Sequence, residues 1–489
     1  MYTLLSHARD NDSREDIGML SSNPLKGYDF TPAQFLALGY LAVIIIGTIL
    51  LTLPIATTDS GSLDVISALF TATSATCVTG LIVVNTSIAF TTFGQIVIMI
   101  LIQVGGLGIM TMSTMIAFIV GKKITLKERL ILQEDLNQFK ISGVVRLVQY
   151  VLLVTLVIEG VGALILFFRL INDYSFVKSL YFSIFHSISA FNNAGFDLFG
   201  NSLESFTDDI TINFVVMGLI ILGGIGFAVI AELYNSIGEN KNSISNYSIK
   251  NIFKYIKNAC FIDLRKTSLQ TKIILTMSFI LLVFGFLSFL ALEYTNDATM
   301  GNLPFGQKIL SAMFLSVTPR TAGFNTVPTG SLRSSTLFLV IILMFIGASP
   351  GSTGGGIKTT TFGVLLITVW NLITGKTDIE IFKRQLEKDI VLKAIAITML
   401  ALILVVTVTM ILTVSENMDF LPVFFETISA FGTVGLSTGI TSSLSGFGRI
   451  LITLTMFVGR VGPLTLALAF AERKQSGVYH YPKEKIMVG

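Results

Sequence analysis

Charge is what this 489-residue chain has least of: Asp, Glu, Lys and Arg make up 13% of it, about half the share of a soluble domain. That scarcity excludes an ordinary water-soluble enzyme. Cysteine and histidine are almost missing, at 2 and 3 residues. Cys77 and Cys260 fall on opposite faces of the topology derived below, and His7, His186 and His480 are scattered, so no disulfide framework or Cys/His metal site is available. A basic excess is missing too: the net charge of +3 carries no signature of nucleic-acid binding. The segment 1–33 lacks the apolar run of a signal peptide and reads as a polar, uncleaved cytoplasmic tail.

Apolar residues fill the space left by charge. They account for 52% of the chain, with a mean hydropathy of +0.77, so the solvent for most of this protein is lipid. Eight stretches are long enough to span, given the roughly 20 apolar residues a crossing helix needs. They are Phe35 to Leu53, Phe93 to Val120, Leu147 to Phe168, Ile212 to Ala231, Ile273 to Leu292, Leu337 to Trp370 with an interruption, Ala394 to Val414 and Ile450 to Ala471. Within each successive pair lies a shorter piece, Ser62 to Ser74, Phe176 to Ala190, Phe305 to Ser316 and Leu421 to Ala430. Pieces of that length read as re-entrant segments. Of 33 basic residues, 25 lie in the two tails and in the connectors 121–146, 235–272 and 372–393, whereas the connectors beside the short pieces carry Asp59, Asp64, Asp197, Glu204, Asp208, Asp209, Glu416 and Asp419. Basic residues favour the cytoplasmic side, so both termini are expected inside and the short pieces are expected to dip in from outside.

The short pieces end alike: SATCVTGL (Ser74 to Leu81), SAFNNAGF (Ser189 to Phe196), VTPRTAGF (Val317 to Phe324) and SAFGTVGL (Ser429 to Leu436). Their glycines, Gly80, Gly195, Gly323 and Gly435, are 115, 128 and 112 residues apart, and a second glycine follows each at Gly105, Gly223, Gly347 and Gly459. Four copies of one unit are therefore expected, an all-α polytopic membrane protein with helix, re-entrant loop and helix repeated around one central pore. The repeats cover 34–120, 144–236, 272–372 and 390–472, with a basic cytoplasmic loop over 237–271 and a C-terminal tail over 473–489.

Non-helical backbone at membrane depth survives only inside protein or beside a water-filled cavity. Four such turns around one axis place the carbonyls of Val78, Thr79 and Gly80, of Asn193, Ala194 and Gly195, of Thr321, Ala322 and Gly323, and of Thr433, Val434 and Gly435 where stacked oxygen rings can replace the water shell of a potassium ion. Glycine tolerates φ > 0 and has no Cβ to block the lane, and the partly negative C-terminal ends of the short helices favour a cation. Small-xxx-small helix packing is the competing use of such glycines; four matched positions favour the pore. For Gly105, Gly106, Gly108, Gly223, Gly224 and Gly226, packing against the short helices is the better reading.

With TATSATCVTGL, SAFNNAGFD, TPRTAGFNT, SAFGTVGLSTG and the closing YPKEKIMVG in place, the chain resembles the Trk/Ktr/HKT superfamily of potassium transporters from about Ala33 to Gly489, most closely the membrane subunits of bacterial Ktr systems. The resemblance implies potassium uptake across the cell membrane, a homodimer with one pore per protomer, and a cytosolic nucleotide-binding regulatory ring (KtrA-like) that carries ATP or ADP. It also implies potassium selectivity from Gly80 and sodium as a candidate activator. The four turns depart from the TVGYG of potassium channels in every copy, which leaves fewer fixed ion sites.

The sixth span is interrupted by GASPGSTGGGIKTTT, Gly347 to Thr361, whose glycines and Pro350 cannot hold a straight helix. This loop is expected under the filter as a gate. Its candidate residues are Gly347, Gly351, Ser352, Thr353, Gly354, Gly355, Gly356 and Lys358, with Arg460 from the last span; deep basic residues of this kind are functional by default. The stretch Gly351 to Thr359 mimics a phosphate-binding loop, but Ile357 separates the second glycine from Lys358 and no soluble strand precedes it.

Other residues keep two readings. Arg320 is expected to point behind its turn and pair with carbonyls or an acidic group. Glu159 is either a structural hydrogen-bond acceptor or an ion-coupling site, and His186 either packs or senses pH. Lys241, Lys250, Lys254, Lys257, Arg265 and Lys266 suit lipid headgroups and a docking partner alike. An alternating-access cation symporter is the rival function; it predicts inverted repeats and broken helices near the midplane, whereas these repeats run parallel. A membrane enzyme would need a titratable or metal constellation in a pocket, and none is evident in the sequence.

Overall fold

The computed structural model describes residues 31–58, 63–120, 126–135, 144–237, 267–376, 378–470 and 484. Almost all of the N-terminal tail, most of the basic loop expected over 237–271, with Cys260 and its basic residues, and all of the C-terminal tail but 484 lie outside them.

Four units of the same make follow one another. Each opens with a long leading helix: Pro32–Leu51, Val144–Leu170, Leu269–Glu293 and Lys388–Glu416. These four contain the helices long and apolar enough to cross a membrane unaided, and they expose Ile46, Leu156, Phe279 and Met410 on their outer side, as lipid-facing surfaces do. Short helices follow at Val65–Thr76, Phe176–Phe191, Phe305–Val317 and Phe420–Gly432. Although half polar, they are largely buried. Three of their hydroxyls turn onto their own backbone, Thr71 to Ser67 O at 2.9 Å, Ser183 to Ser179 O at 2.6 Å and Thr427 to Val423 O at 2.9 Å, which satisfies those three without water.

Return helices begin at Thr92, Ile210, Ser334 and Gly446, each with an acceptor at its free N–H groups. Thr91, Asp209 and Ser445 cap three of them. The third borrows Glu293, a buried carboxylate that accepts from the Arg333 amide at 3.0 Å and from the Thr336 hydroxyl.

The return helices depart from the sequence reading. Phe93 to Val120, Ile212 to Ala231 and Ile450 to Ala471 were expected to run unbroken, with an interruption in the sixth span alone. Instead all four break. In the first, second and fourth units the breaks fall at Gly108 (φ +87°), Gly226 (φ +103°) and Gly462 (φ +95°), a backbone region closed to most L-residues, and at Gly226 the axis bends by 95°. A further departure from all-α structure is a two-residue hairpin, Glu380–Ile381 with Arg384–Gln385.

The connectors between short and return helices join each unit to the next. Asn85 Nδ2 donates to Gly200 O at 2.8 Å, and the Leu203 amide to Asn325 O at 3.0 Å. Gly330 lies so near Thr438 that a Cβ there would stand 2.8 Å from its carbonyl oxygen. Arg449 Nη1 donates to Ser67 Oγ at 3.1 Å, bringing the fourth unit back to the first.

Candidate functional site

Each short helix ends in a turn of one backbone pattern. Val78, Asn193, Thr321 and Thr433 are left-handed at φ +57°, +58°, +70° and +49°; the next residue reverts to negative φ, and Gly80, Gly195, Gly323 and Gly435 stand at φ +90°, +69°, +76° and +90°. An ordinary strand sends successive carbonyls to alternate sides; alternating hands turn them to one side. The reversal is closed by backbone bonds from Thr79 N to Ser74 O (2.7 Å), Ala194 N to Ser189 O (2.8 Å), Ala322 N to Thr318 O (3.0 Å) and Val434 N to Ser429 O (2.9 Å). Hydroxyls brace the same turns: Ser74 and Ser429 accept from the Gly80 and Gly435 amides at 3.0 and 3.1 Å, while Ser189 and Thr318 donate to Phe196 O and Phe324 O at 2.7 and 2.5 Å. The sequence reading passed over these braces, although a shared Ser-Ala at Ser74, Ser189 and Ser429 marked three of them.

The four turns meet. A Cβ added at Gly80 would collide with Ala194 O, one at Gly195 would stand 2.9 Å from Ala322 O, one at Gly323 2.6 Å from Val434 O, and one at Gly435 would collide with Thr79 O. Each glycine thus abuts the carbonyl of the following turn, and the fourth abuts the first, in a closed ring. The eight non-glycine residues of the turns, Val78, Thr79, Asn193, Ala194, Thr321, Ala322, Thr433 and Val434, are 0% exposed. Bare peptide oxygens in such a ring can take the place of an ion's hydration shell, with four helix C-termini adding negative potential.

Behind the ring, the fourth place of each turn holds Cys77, Asn192, Arg320 and Gly432. Arg320 donates to Ser278 O at 3.2 Å and Ser278 Oγ at 3.0 Å. Asn192 meets Glu159 and Gln103 at 2.8 and 3.0 Å. His186 is packed rather than free: Nδ1 lies 2.7 Å from Phe182 O, Nε2 accepts from the Leu198 amide at 3.2 Å, and the ring stacks on Phe199 at 4.0 Å. Glu426, nine residues before Gly435 as His186 is before Gly195, does the equivalent job by accepting from Ser437 at 2.8 Å and from Thr441. The sequence reading missed Glu426 and Gln103. In the connector after the second turn, burial pushes the Asp197 carboxyl above the usual carboxylate range despite a 2.6 Å bond from the Gly200 amide, and burial raises Glu204 likewise.

The loop of the third return helix lies against the ring at the side chains of Thr321 and Thr433. The helix stops at Gly347 (φ +66°) and resumes at Thr359, so Thr359 to Thr361 belong to the helix and not to the expected 347–361 loop. The Gly355 amide donates to Thr433 Oγ1 at 3.0 Å, and a Cβ on Gly354 would collide with Thr321 Oγ1. Thr353 donates through its amide to Gly223 O at 3.3 Å and through its hydroxyl to Phe191 O at 3.4 Å. Gly351 O accepts from the Phe227 amide at 2.9 Å, and Ser352 Oγ closes onto Ser349 O at 2.6 Å. Gly356 (φ +76°) sits beside Gly347. Arg460 bridges this loop to the first unit, donating to Thr353 O, to Gly105 O and, at 3.4 Å, to Gly106 O. Lys358 Nζ turns back onto Gly354 O at 2.5 Å. Gly105, Gly223 and Gly459 let their helices touch the last carbonyls of the short helices, at Thr76, Phe191 and Phe431.

A family model described as TrkH, cation transport protein, matches residues 31–480. The chain belongs to that family. Its members are membrane transporters, not enzymes. Ktr system potassium uptake protein B of Bacillus subtilis (strain 168) is 45% identical over 465 residues, 95% of this chain and 98% of the relative. Potassium/sodium uptake protein NtpJ of Enterococcus hirae is 38% identical over 466 residues, 94% of this chain and 97% of the relative. The crystal structure of the potassium transporter TrkH from Vibrio parahaemolyticus shares the fold, with a TM-score of 0.65 at 19% identity over 89% of this chain and 85% of that one.

Proposed function

We propose that this chain is the membrane subunit of a potassium uptake system, and that the ion crosses through the ring of Val78–Gly80, Asn193–Gly195, Thr321–Gly323 and Thr433–Gly435. The observation that carries the reading is the closure of the four glycine turns, each against the carbonyl of the next. Flow runs down the electrochemical gradient from the acidic outer mouth to the cytoplasmic side, where both termini lie. Thr353, Gly354 and Gly355 form the gate, with Arg460 obstructing the lane by bulk and charge while holding the loop through the Thr353 carbonyl. A cytosolic nucleotide-binding ring of the KtrA kind, loaded with ATP or ADP, moves the loop aside, and the subunit works as a homodimer with sodium as activator. The relatives named as Ktr and potassium/sodium uptake proteins support this assignment.

Broken return helices are also what alternating access expects. Here the breaks occur in four units of one direction around a closed ring, whereas rocking needs two inverted halves that part. The channel-like reading is therefore preferred.

Rubidium uptake into proteoliposomes, with and without sodium, tests the filter. In Gly80→Ser the new Cβ must displace Ala194 O while holding φ +90°, so the ring loses its fit. Rubidium preference over sodium is expected to fall by about tenfold, the worth of roughly 1.4 kcal/mol. Unchanged preference would remove Gly80 from the lane.

A further inference from the structure

Glu159 sits in the second leading helix at 6% exposure, a carboxylate inside the membrane domain. Its partners come from two other helices. Oε1 accepts from Asn192 Nδ2 at 2.8 Å, Oε2 accepts from Gln103 Nε2 at 3.2 Å, and Asn192 Nδ2 also reaches Gln103 Oε1 at 3.0 Å. The three side chains close a ring of hydrogen bonds across the first return helix, the second leading helix and the end of the second short helix. Among the described residues no Lys, Arg or His donates to Glu159.

The chemistry of that ring is selective. Both groups aimed at Glu159 are NH2 donors, and a carboxyl group can accept on both of its oxygens. Glutamine at 159 would set one NH2 against another. The ring also has a definite address. Asn192 immediately precedes Asn193, the left-handed residue that opens the second turn, and a Cβ on Gly106 would collide with Asn192 Oδ1. Gly105 and Gly106 are the residues whose carbonyls receive Arg460. At the matching place in the other turns stand Cys77, Arg320 and Gly432, so among the described residues only in the second turn is the residue at this place held by a buried carboxylate.

We infer that Glu159 is a positioning residue for the second filter turn: through Asn192 it fixes the register of Asn193 to Gly195, setting how tightly and how selectively the ring holds a cation. With both oxygens engaged by amides, Glu159 is not itself an ion ligand in this arrangement. The inference rests on the pore reading above and adds a determinant of selectivity outside the lane.

The test uses the full-length chain in proteoliposomes, reading rubidium uptake and its competition by sodium. Glu159→Gln is expected to raise the rubidium KM and to lower the preference over sodium, each by about tenfold, with the maximal rate changed less than about threefold. Gln103→Leu, which leaves Asn192 held by the carboxylate, is expected to move both in the same direction by about threefold. A role in folding alone would lower the maximal rate for both ions and spare KM and preference, and that outcome in Glu159→Gln overturns the inference, as does no change at all. Should Glu159→Gln fail to fold, the same two readouts in Gln103→Leu decide. Wild type and Gly80→Ser run alongside. Wild type without rubidium uptake, or a silent Gly80→Ser, sinks the pore reading itself, whereas an active wild type, an altered Gly80→Ser and a silent Glu159→Gln sink only this inference.

Discussion

Gly108, Gly226 and Gly462 stand at φ/ψ of +87°/141°, +103°/136° and +95°/134°, and Lys358 stands at +90°/138°. Each opens the next helix of its unit. The residues before them also correspond: Gly105-Gly106-Leu107, Gly223-Gly224-Ile225, Gly459-Arg460-Val461 and Gly355-Gly356-Ile357. What differs is the route. Three units reach the break directly from the helix, but the third leaves its helix at Gly347, loops under the ring, and returns beside the turn it left, with Ile357 N near Phe345 O at 3.5 Å and Lys358 N on Ile346 O at 3.1 Å. The candidate gate is thus an excursion added to a break that all four units share. Its closing residue is a lysine in a conformation that glycine holds elsewhere, a strain on the order of 1–3 kcal/mol, and its ammonium is spent on the loop carbonyl of Gly354.

The sharpest way to break that comparison is to take the excursion away. Deleting Ser352 to Gly355 leaves a third unit closer to the other three. Rubidium uptake by proteoliposomes without any cytosolic partner is expected to rise by about tenfold if the closed form dominates at rest. Arg460→Ala keeps the loop but frees Thr353 and the Gly105 carbonyl, so a rise of about threefold is expected. Unchanged uptake in both variants would make the loop a packing element.

Lys358 sharpens the comparison at a single residue. Lys358→Gly gives up the ammonium and relaxes the backbone; Lys358→Met gives up the ammonium and keeps the strain. The glycine variant is expected to be more stable than the methionine variant by about 1–2 kcal/mol, read from their melting in detergent. The reverse order would mean that the positive φ costs nothing there.

Legibility in the sequence followed the same chemistry. The four turns could be found because φ > 0 beside a neighbouring carbonyl admits almost only glycine, so Gly80, Gly195, Gly323 and Gly435 leave a spaced trace. Half of the pattern stayed hidden: the left-handed residue that opens each turn is Val, Asn or Thr, held by the short helix behind it and not by its own preference. The breaks at Gly108, Gly226 and Gly462 were equally hidden, since hydropathy registers that both halves of a span are apolar and is blind to a change of direction between them. Lys358 masks the fourth member of that set by not being glycine. The ring of Gln103, Glu159 and Asn192 spans separations of 56 and 33 residues, a pairing that only the packed bundle brings about.

The smallest effect separates the shared break from the loop that rests on it. Gly226 and Gly462 have nearly the same backbone, so alanine at either is expected to cost about 1–2 kcal/mol of stability through positive φ alone. Their surroundings differ. A Cβ at Gly462 meets only Thr465 Oγ1, at 3.7 Å, whereas a Cβ at Gly226 stands 2.6 Å from Pro350 O in the loop. Gly462→Ala should therefore melt earlier and leave basal rubidium uptake as it was. Gly226→Ala should also push Pro350 away, loosening the bond between Gly351 O and the Phe227 amide, and raise basal uptake by about twofold. Equal uptake in the two variants, at equal loss of stability, would show that the loop is not seated on the second unit's break, and the bridge from Arg460 and the bond from Gly355 to Thr433 would be left as its anchors to the rest of the ring.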